Sequence, residues 1–199
     1  MLISGYRDDL CLDYANTLSW RGRAEPAEKL HSLDDLLDWA RTSGSVGAGA
    51  ARNASIWSRA RSKKVEELFA EAIALREAIF RIFSAMAAGQ GARDRDLAVL
   101  TRSLAEAPAR NWLVRSGNRF AWRIGQHRPR MPDLLAPVLW SAGDLLIAGE
   151  HRLVRQCANS ECLWLFVDRS KNATRRWCDM AACGNRAKAQ RHYQKIRQD

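Results

Sequence analysis

Cys157-Ala-Asn-Ser-Glu-Cys162 is followed, after fifteen residues, by Cys178-Asp-Met-Ala-Ala-Cys183-Gly184-Asn185-Arg186. Two close cysteine pairs at this separation are what a tetrahedral zinc site requires. Each pair bends the backbone into a knuckle with two thiolates inward, and the segment between brings the second pair round to close the tetrahedron. Zinc takes four thiolates at about 2.3 Å, and a closed four-sulfur shell leaves no position for substrate or water. The expected cofactor is therefore one structural Zn2+ held by Cys157, Cys162, Cys178 and Cys183. A stretch of about fifty residues is too small to fold without such a staple. Replacing Cys178 by Ser is expected to unfold this module and to leave the helices before it largely intact.

The rest of the composition agrees. The 199 residues allow one domain of ordinary size and a small appendage, and 47% hydrophobic residues with eight tryptophans supply a core. No run approaches the twenty apolar residues of a membrane span, and the first residues lack the apolar stretch of a signal peptide. Five cysteines, with Cys11 alone in Leu10-Cys11-Leu12, fit a reducing compartment, so a cytoplasmic location is expected. Cys11 reads as a small buried hydrophobe. The charge is uneven: residues 151–199 hold eleven Lys/Arg against four Asp/Glu, a net +7 of the chain's +10. That asymmetry points to a polyanionic partner, nucleic acid before others.

Upstream, the pattern is mainly α with one β-hairpin. A first helix is expected within Asp9–Leu18, and Ser32 is an N-cap for a helix over 33–40 with Asp34 and Asp35 in its first turn. Thr42–Ser55 reads as a loop, and Arg59, Arg61, Lys63 and Lys64 as a solvated helix start. Val65–Ala88 is the strongest helix, its stripe running through Leu68, Ala72, Leu75, Ile79, Phe83 and Met86 to a stop at Gly89. Asp94–Glu106 is a shorter helix before Pro108. Two β-prone runs flank Ser116-Gly117-Asn118 within 112–124 and predict the hairpin. Pro132 opens a helix over 133–148. The division expected is a helical regulatory or ligand-sensing domain, 1–150, and a zinc module, 151–199.

Between the cysteine pairs stand Phe166, Asp168-x-Ser170 and Arg175-Arg176-Trp177-Cys178, and Cys183-Gly-Asn-Arg186 leads into a basic helix with Lys188. This order resembles the bacterial CGNR zinc-finger family and covers the whole C-terminal module. Leu12-Asp13-Tyr14-Ala15-Asn16-Thr17 resembles the start of the helical domain that family carries upstream, that of stress-induced transcription regulators. The resemblance implies a transcription-related, DNA-binding role.

Read without the family, Arg176 and Arg186 are cations that lower the thiol pKa values and offset the charge of a four-thiolate zinc cluster. Gly184 suits a tight turn after a ligand, and Trp164, Phe166 and Trp177 form a small core over the metal. In the last helix, about 184–197, Ala189, Tyr193 and Ile196 share one arc and Lys188, Arg191 and Lys195 the opposite one. The first arc is read as a docking stripe. The candidate nucleic-acid contacts are Arg175, Arg176, Arg186, Lys188, Arg191 and Lys195, with DNA favoured over RNA. A purely structural, docking role for the zinc module is the alternative, within a ligand-binding or protein-interaction protein.

Arg76 falls on the apolar stripe of the long helix, where a charge needs a partner or water. Asp13 and Asn16 are its candidate partners. One reading is a buried ion pair. The other is a pocket for an anion or small-molecule effector, built from Asp13, Asn16 and Arg76. No enzyme is indicated: His31, His127, His151 and His192 are scattered, and no phosphate loop, nucleophile elbow or HExxH occurs.

Overall fold

A computed structural model describes residues 2–3, 7–45, 63–124, 130–149 and 153–196; within 185–196, side chains are described through Ala189 and at Tyr193. Most of the Thr42–Ser55 loop, with Arg59 and Arg61, lies outside these residues, as do His127, His151 and the side chain of His192.

The hub is a six-residue helix, α1 (Leu10–Ala15), buried at every position but Asp13. Around it stand α2 (Leu33–Thr42), α3 (Lys63–Ala87), α4 (Asp94–Glu106), the single turn α5 (Met131–Leu134) and α6 (Ala136–Ile147). Ser32 caps α2 by accepting from the Asp35 amide at 3.2 Å. In α3 the stripe is buried from Ala72 to Phe83, with Arg76 inside it. Tyr14 of α1 donates its hydroxyl to the Ala72 carbonyl at 2.7 Å, which locks α1 against α3. Gly89, at φ +71°, ends that helix. Ala107 is extended because Pro108 follows it, so α4 stops one residue earlier.

The helix expected over 133–148 breaks in two at Leu135, φ −105° and ψ 18°. Pro137 has no N–H to return to the Asp133 carbonyl, so the ladder cannot run through. Cys11 sits wholly buried in the wall between α1 and α6 and takes a bond from its own amide to Ser141 Oγ at 2.8 Å. Burial pushes its thiol up to about 12.

The hairpin pairs β4 (Leu113–Ser116) with β5 (Arg119–Arg123), register Leu113↔Trp122 to Ser116↔Arg119, with Gly117 at φ +61° in the turn. A two-residue strand, β1 (Leu2–Ile3), adds to its other edge. Two further ribbons accompany it: β2 (Leu18–Ser19) with β3 (Ala27–Glu28), and β6 (Val154–Gln156) with β7 (Leu165–Val167).

The last ribbon belongs to the cysteine-bearing segment, yet Val154, Leu165 and Val167 are buried in the same core as α1, α3 and α6. Asn16, just past α1, fastens it there. Its Nδ2 donates to the Leu165 carbonyl at 2.8 Å and its Oδ1 accepts from the Leu165 amide at 3.0 Å. The loop after β2 grips from the other side. The Gly22 amide bonds the Glu161 carbonyl at 3.1 Å, and Arg23 pairs with Glu161 at 2.9 Å. At Gly22 a Cβ would stand 1.8 Å from the Ser160 carbonyl oxygen. Gly22→Ala is therefore expected to cost about 2 kcal/mol by overpacking backbone against backbone. The denaturant midpoint checks it; an unchanged midpoint would mean the loop opens freely.

Candidate metal centre and basic surface

The four Sγ atoms of Cys157, Cys162, Cys178 and Cys183 all lie within 4.8 Å of one another, three of the residues buried and Cys178 half-buried. Cys162 to Cys178 is 3.7 Å and Cys178 to Cys183 is 3.8 Å. A tetrahedron of four bonds of about 2.3 Å has S···S edges of about 3.8 Å, so the sulfurs already stand at the spacing one zinc ion imposes. All five cysteines are free thiols. Within the cluster the protons are shared unequally. Hydrogen bonding from Cys178 pulls the Cys162 thiol down, and Cys178, the donor, is driven up. Burial pushes Cys183 up. Four thiolates cannot coexist here without a cation to hold them, which is the charge problem a dication removes.

The first knuckle closes by amide bonds from Cys162 and Leu163 to the Asn159 carbonyl, 2.9 and 3.2 Å, and Asn159 Nδ2 approaches Cys183 Sγ at 3.7 Å. The left-handed residue of the turn is Leu163, φ 56°. Gly184 does not play the tight-turn role. It ends a π-helical turn, Met180–Gly184, capped by Asp179 Oδ1 on the Ala182 amide at 2.6 Å. Its missing Cβ leaves room for Met180 and Trp177, whose nearest atoms would be 2.8 and 3.4 Å away. Asp168, wholly buried, organises the segment between the pairs. It accepts from the Ser170 hydroxyl at 2.6 Å, the Ser170 amide at 3.0 Å and the Arg175 amide at 2.7 Å. The Ser170 hydroxyl foremost holds its carboxyl below the usual range.

Trp164 and Trp177 pack on the cysteines, joined by Trp20 from the upstream loop. Phe166 does not share that role. On β7 it alternates with the core-facing Leu165 and Val167, and it lies under the Arg175 guanidinium at 4.6 Å. Trp20 carried no periodic signal. It is held at φ 55° between two guanidiniums, Arg23 at 4.0 Å and Arg186 at 4.7 Å.

The basic residues divide. Arg175 is engaged internally: Nε donates to the Trp177 carbonyl at 2.8 Å and Nη2 to that of Cys178. It braces the second knuckle through these two nitrogens while its side chain stays exposed. Arg176, Arg186 and Lys188 are exposed, as are Arg23 and Lys29 beside them, the latter 5.7 Å from the Trp164 ring. Sequence reasoning missed Arg23 and Lys29 because only the fold brings β2 and β3 to the zinc module. The side chains of Arg191 and Lys195 lie outside the described residues. The helix α7 spans Asn185–Ile196, and Tyr193 is 66% exposed, so the stripe read as docking is not seated at that position.

The expected pocket of Asp13, Asn16 and Arg76 does not assemble. Asp13 pairs with Arg7 at 3.0 Å, and Asn16 is spent on Leu165. Arg76, 2% exposed, forks onto Glu28 at 2.6 and 2.8 Å and bonds Glu77 at 2.9 Å. Arg21 completes the group on Glu77 at 2.7 and 3.0 Å, stacked 3.8 Å over Phe80. Two arginines meet two glutamates, and the charge is balanced without a ligand.

A helical domain whose core is closed by a four-thiolate zinc module is the class of protein these features define. The ABATE family model, described as a putative stress-induced transcription regulator, matches residues 8–149, and a CGNR zinc-finger model matches residues 153–195. The chain belongs to the ABATE family and carries a CGNR zinc finger at its C-terminal end. No curated protein matches it.

Proposed function

We propose that this protein is a cytoplasmic, non-enzymatic DNA-binding regulator whose zinc module presents the DNA-contacting face. The observation that carries this is the exposed set Arg176, Arg186 and Lys188 around a fixed zinc fold, extended by Lys29. Most of the chain's net positive charge lies in the same segment. Such a surface binds phosphates by counterion release, with little need for base reading. Among the described residues no helix is long and apolar enough to cross a membrane.

A second reading is favoured by one observation. The β6–β7 ribbon is part of the upstream core, so the module also works as a structural plug. One experiment separates the two. Zinc-loaded full chain should bind a random-sequence duplex with log K falling against log salt at a slope of about −2.7 to −4.5, for about three to five phosphate contacts. Lys188→Glu should weaken binding about tenfold at low salt and leave the thermal midpoint in place. Absence of binding at about 50 mM salt would leave the structural reading alone. Preference for an RNA hairpin over the duplex would redirect the same surface to RNA.

A further inference from the structure

The corner where α3 ends and α4 begins holds a groove of about 260 Å³ with an apolar floor of Phe80, Ala85 and Ala88. Arg93, Asp96 and, from the zinc-bearing segment, Gln156 supply its polar wall. Asp96 is 2% exposed. Arg81 places Nε and Nη2 on the same oxygen, Oδ1, at 2.8 and 2.6 Å. The other oxygen, Oδ2, is buried and meets no donor. Buried carboxylate oxygens are ordinarily hydrogen-bonded, so this atom asks for an N–H. Arg93, the N-cap of α4, is exposed and close enough for its charge to act on Asp96.

The groove also touches the metal centre. Gln156 immediately precedes Cys157. Its Nε2 donates to Ser84 Oγ at 2.9 Å and to the Leu163 carbonyl at 3.4 Å, and Leu163 immediately follows Cys162. One amide thus joins the groove wall to both ends of the first zinc knuckle.

We propose that this groove binds a small zwitterion of α-amino-acid size, and that its occupancy holds the first zinc knuckle closed through Gln156. The ammonium donates to Asp96 Oδ2, reached by a small displacement of the Arg81 arm, whose side chain is 41% exposed. The carboxylate faces Arg93 and an aliphatic side chain lies on Phe80, Ala85 and Ala88. Charge-assisted bonds at both ends select for the zwitterion over either half. The proposal rests on the reading of residues 8–149 as a regulatory domain, but not on DNA binding, which its test does not use.

The test uses full-length zinc-loaded protein with three probes: L-leucine, 4-methylpentanoate, which lacks the ammonium, and 3-methylbutylamine, which lacks the carboxylate. L-leucine should shift the backbone amide resonances of Asp96 and Gln156 with a Kd of about 1 mM, and each half-molecule should bind at least about tenfold more weakly. It should also slow zinc transfer to a chelator about twofold at saturation. Asp96→Asn, which keeps an acceptor for Arg81, should abolish both effects. Ala88→Phe should do the same by filling the open groove, and it decides the matter alone if the Asn variant fails to fold. No shift with L-leucine at about 10 mM would overturn the proposal, as would equal binding of the two half-molecules, undiminished binding in Ala88→Phe, or bound leucine with unchanged zinc release.

Discussion

Stripping the zinc, by chelation or by Cys183→Ser, is expected to unfold the upstream helices together with the cysteine module. A four-thiolate zinc contributes about 10–16 kcal/mol of folding free energy in small modules. A whole domain of this size has only about 5–15 kcal/mol in hand. The loss would stay local if the module were a separate body, as the sequence alone led us to expect. Instead Val154, Leu165 and Val167 are buried in the helical core, and Asn16 and Gly22 are bonded to the backbone around the first knuckle. Without metal the four thiols have no common cation, the knuckles open, and the ribbon they hold leaves the core. Far-UV circular dichroism should fall in one transition on chelation, with the helical signal lost along with the ribbon. A second, metal-insensitive thermal transition carrying most of the helical signal would refute this coupling.

Arg76→Met should be the most damaging single change away from the metal. It removes the partner of Glu28 and half the compensation of Glu77, leaving partly buried acids, for a loss of about 3 kcal/mol. In a chain this long that lowers the thermal midpoint by about 6–12 °C. The acid range gives an independent check. Burial alone would raise both glutamates, but the bonds from Arg76 to Glu28 and from Arg21 to Glu77 outweigh it and hold both below the usual carboxylate range. A lowered folded-state pKa adds stability that is present above the unfolded value, about 4.3, and disappears as pH falls through the folded values. The wild type should therefore lose stability steeply below about pH 4.3, and Arg76→Met should show a flatter acid limb. Identical slopes for the two proteins would mean the network does not bias the acid response.

The parts of this molecule that sequence discloses are those set by local chemistry. Ligand type and spacing suffice for the metal, because four sulfurs close together have one common use. Ser32, Pro108 and Gly117 mark boundaries because capping, ring closure and positive φ act within a few residues. Arg76 shows the limit. Its burial was readable from the helical stripe, but its partner was not. Glu28 sits on a two-residue strand with no periodicity, 48 positions away, and only the packed ribbon brings it within 2.6 Å. Trp20 and Gln156 were silent for the same reason, since each acts through a neighbour that tertiary folding supplies. The break at Leu135 was readable from Pro137, but the apolar residues on either side, Leu134, Leu135, Val138 and Leu139, masked it.

The Leu165 anchorage has a consequence for how such a gene can change. A finger that recombines freely brings its own core and leaves its host's intact. Here a cut at the boundary between the two family segments would strip one wall from the host and expose Val154, Leu165 and Val167 on the excised piece. Neither product would be a portable cassette. An exchange of fingers between relatives could succeed only where the incoming ribbon fits the host's α1 and its asparagine, so the two halves are bound to diverge as one unit.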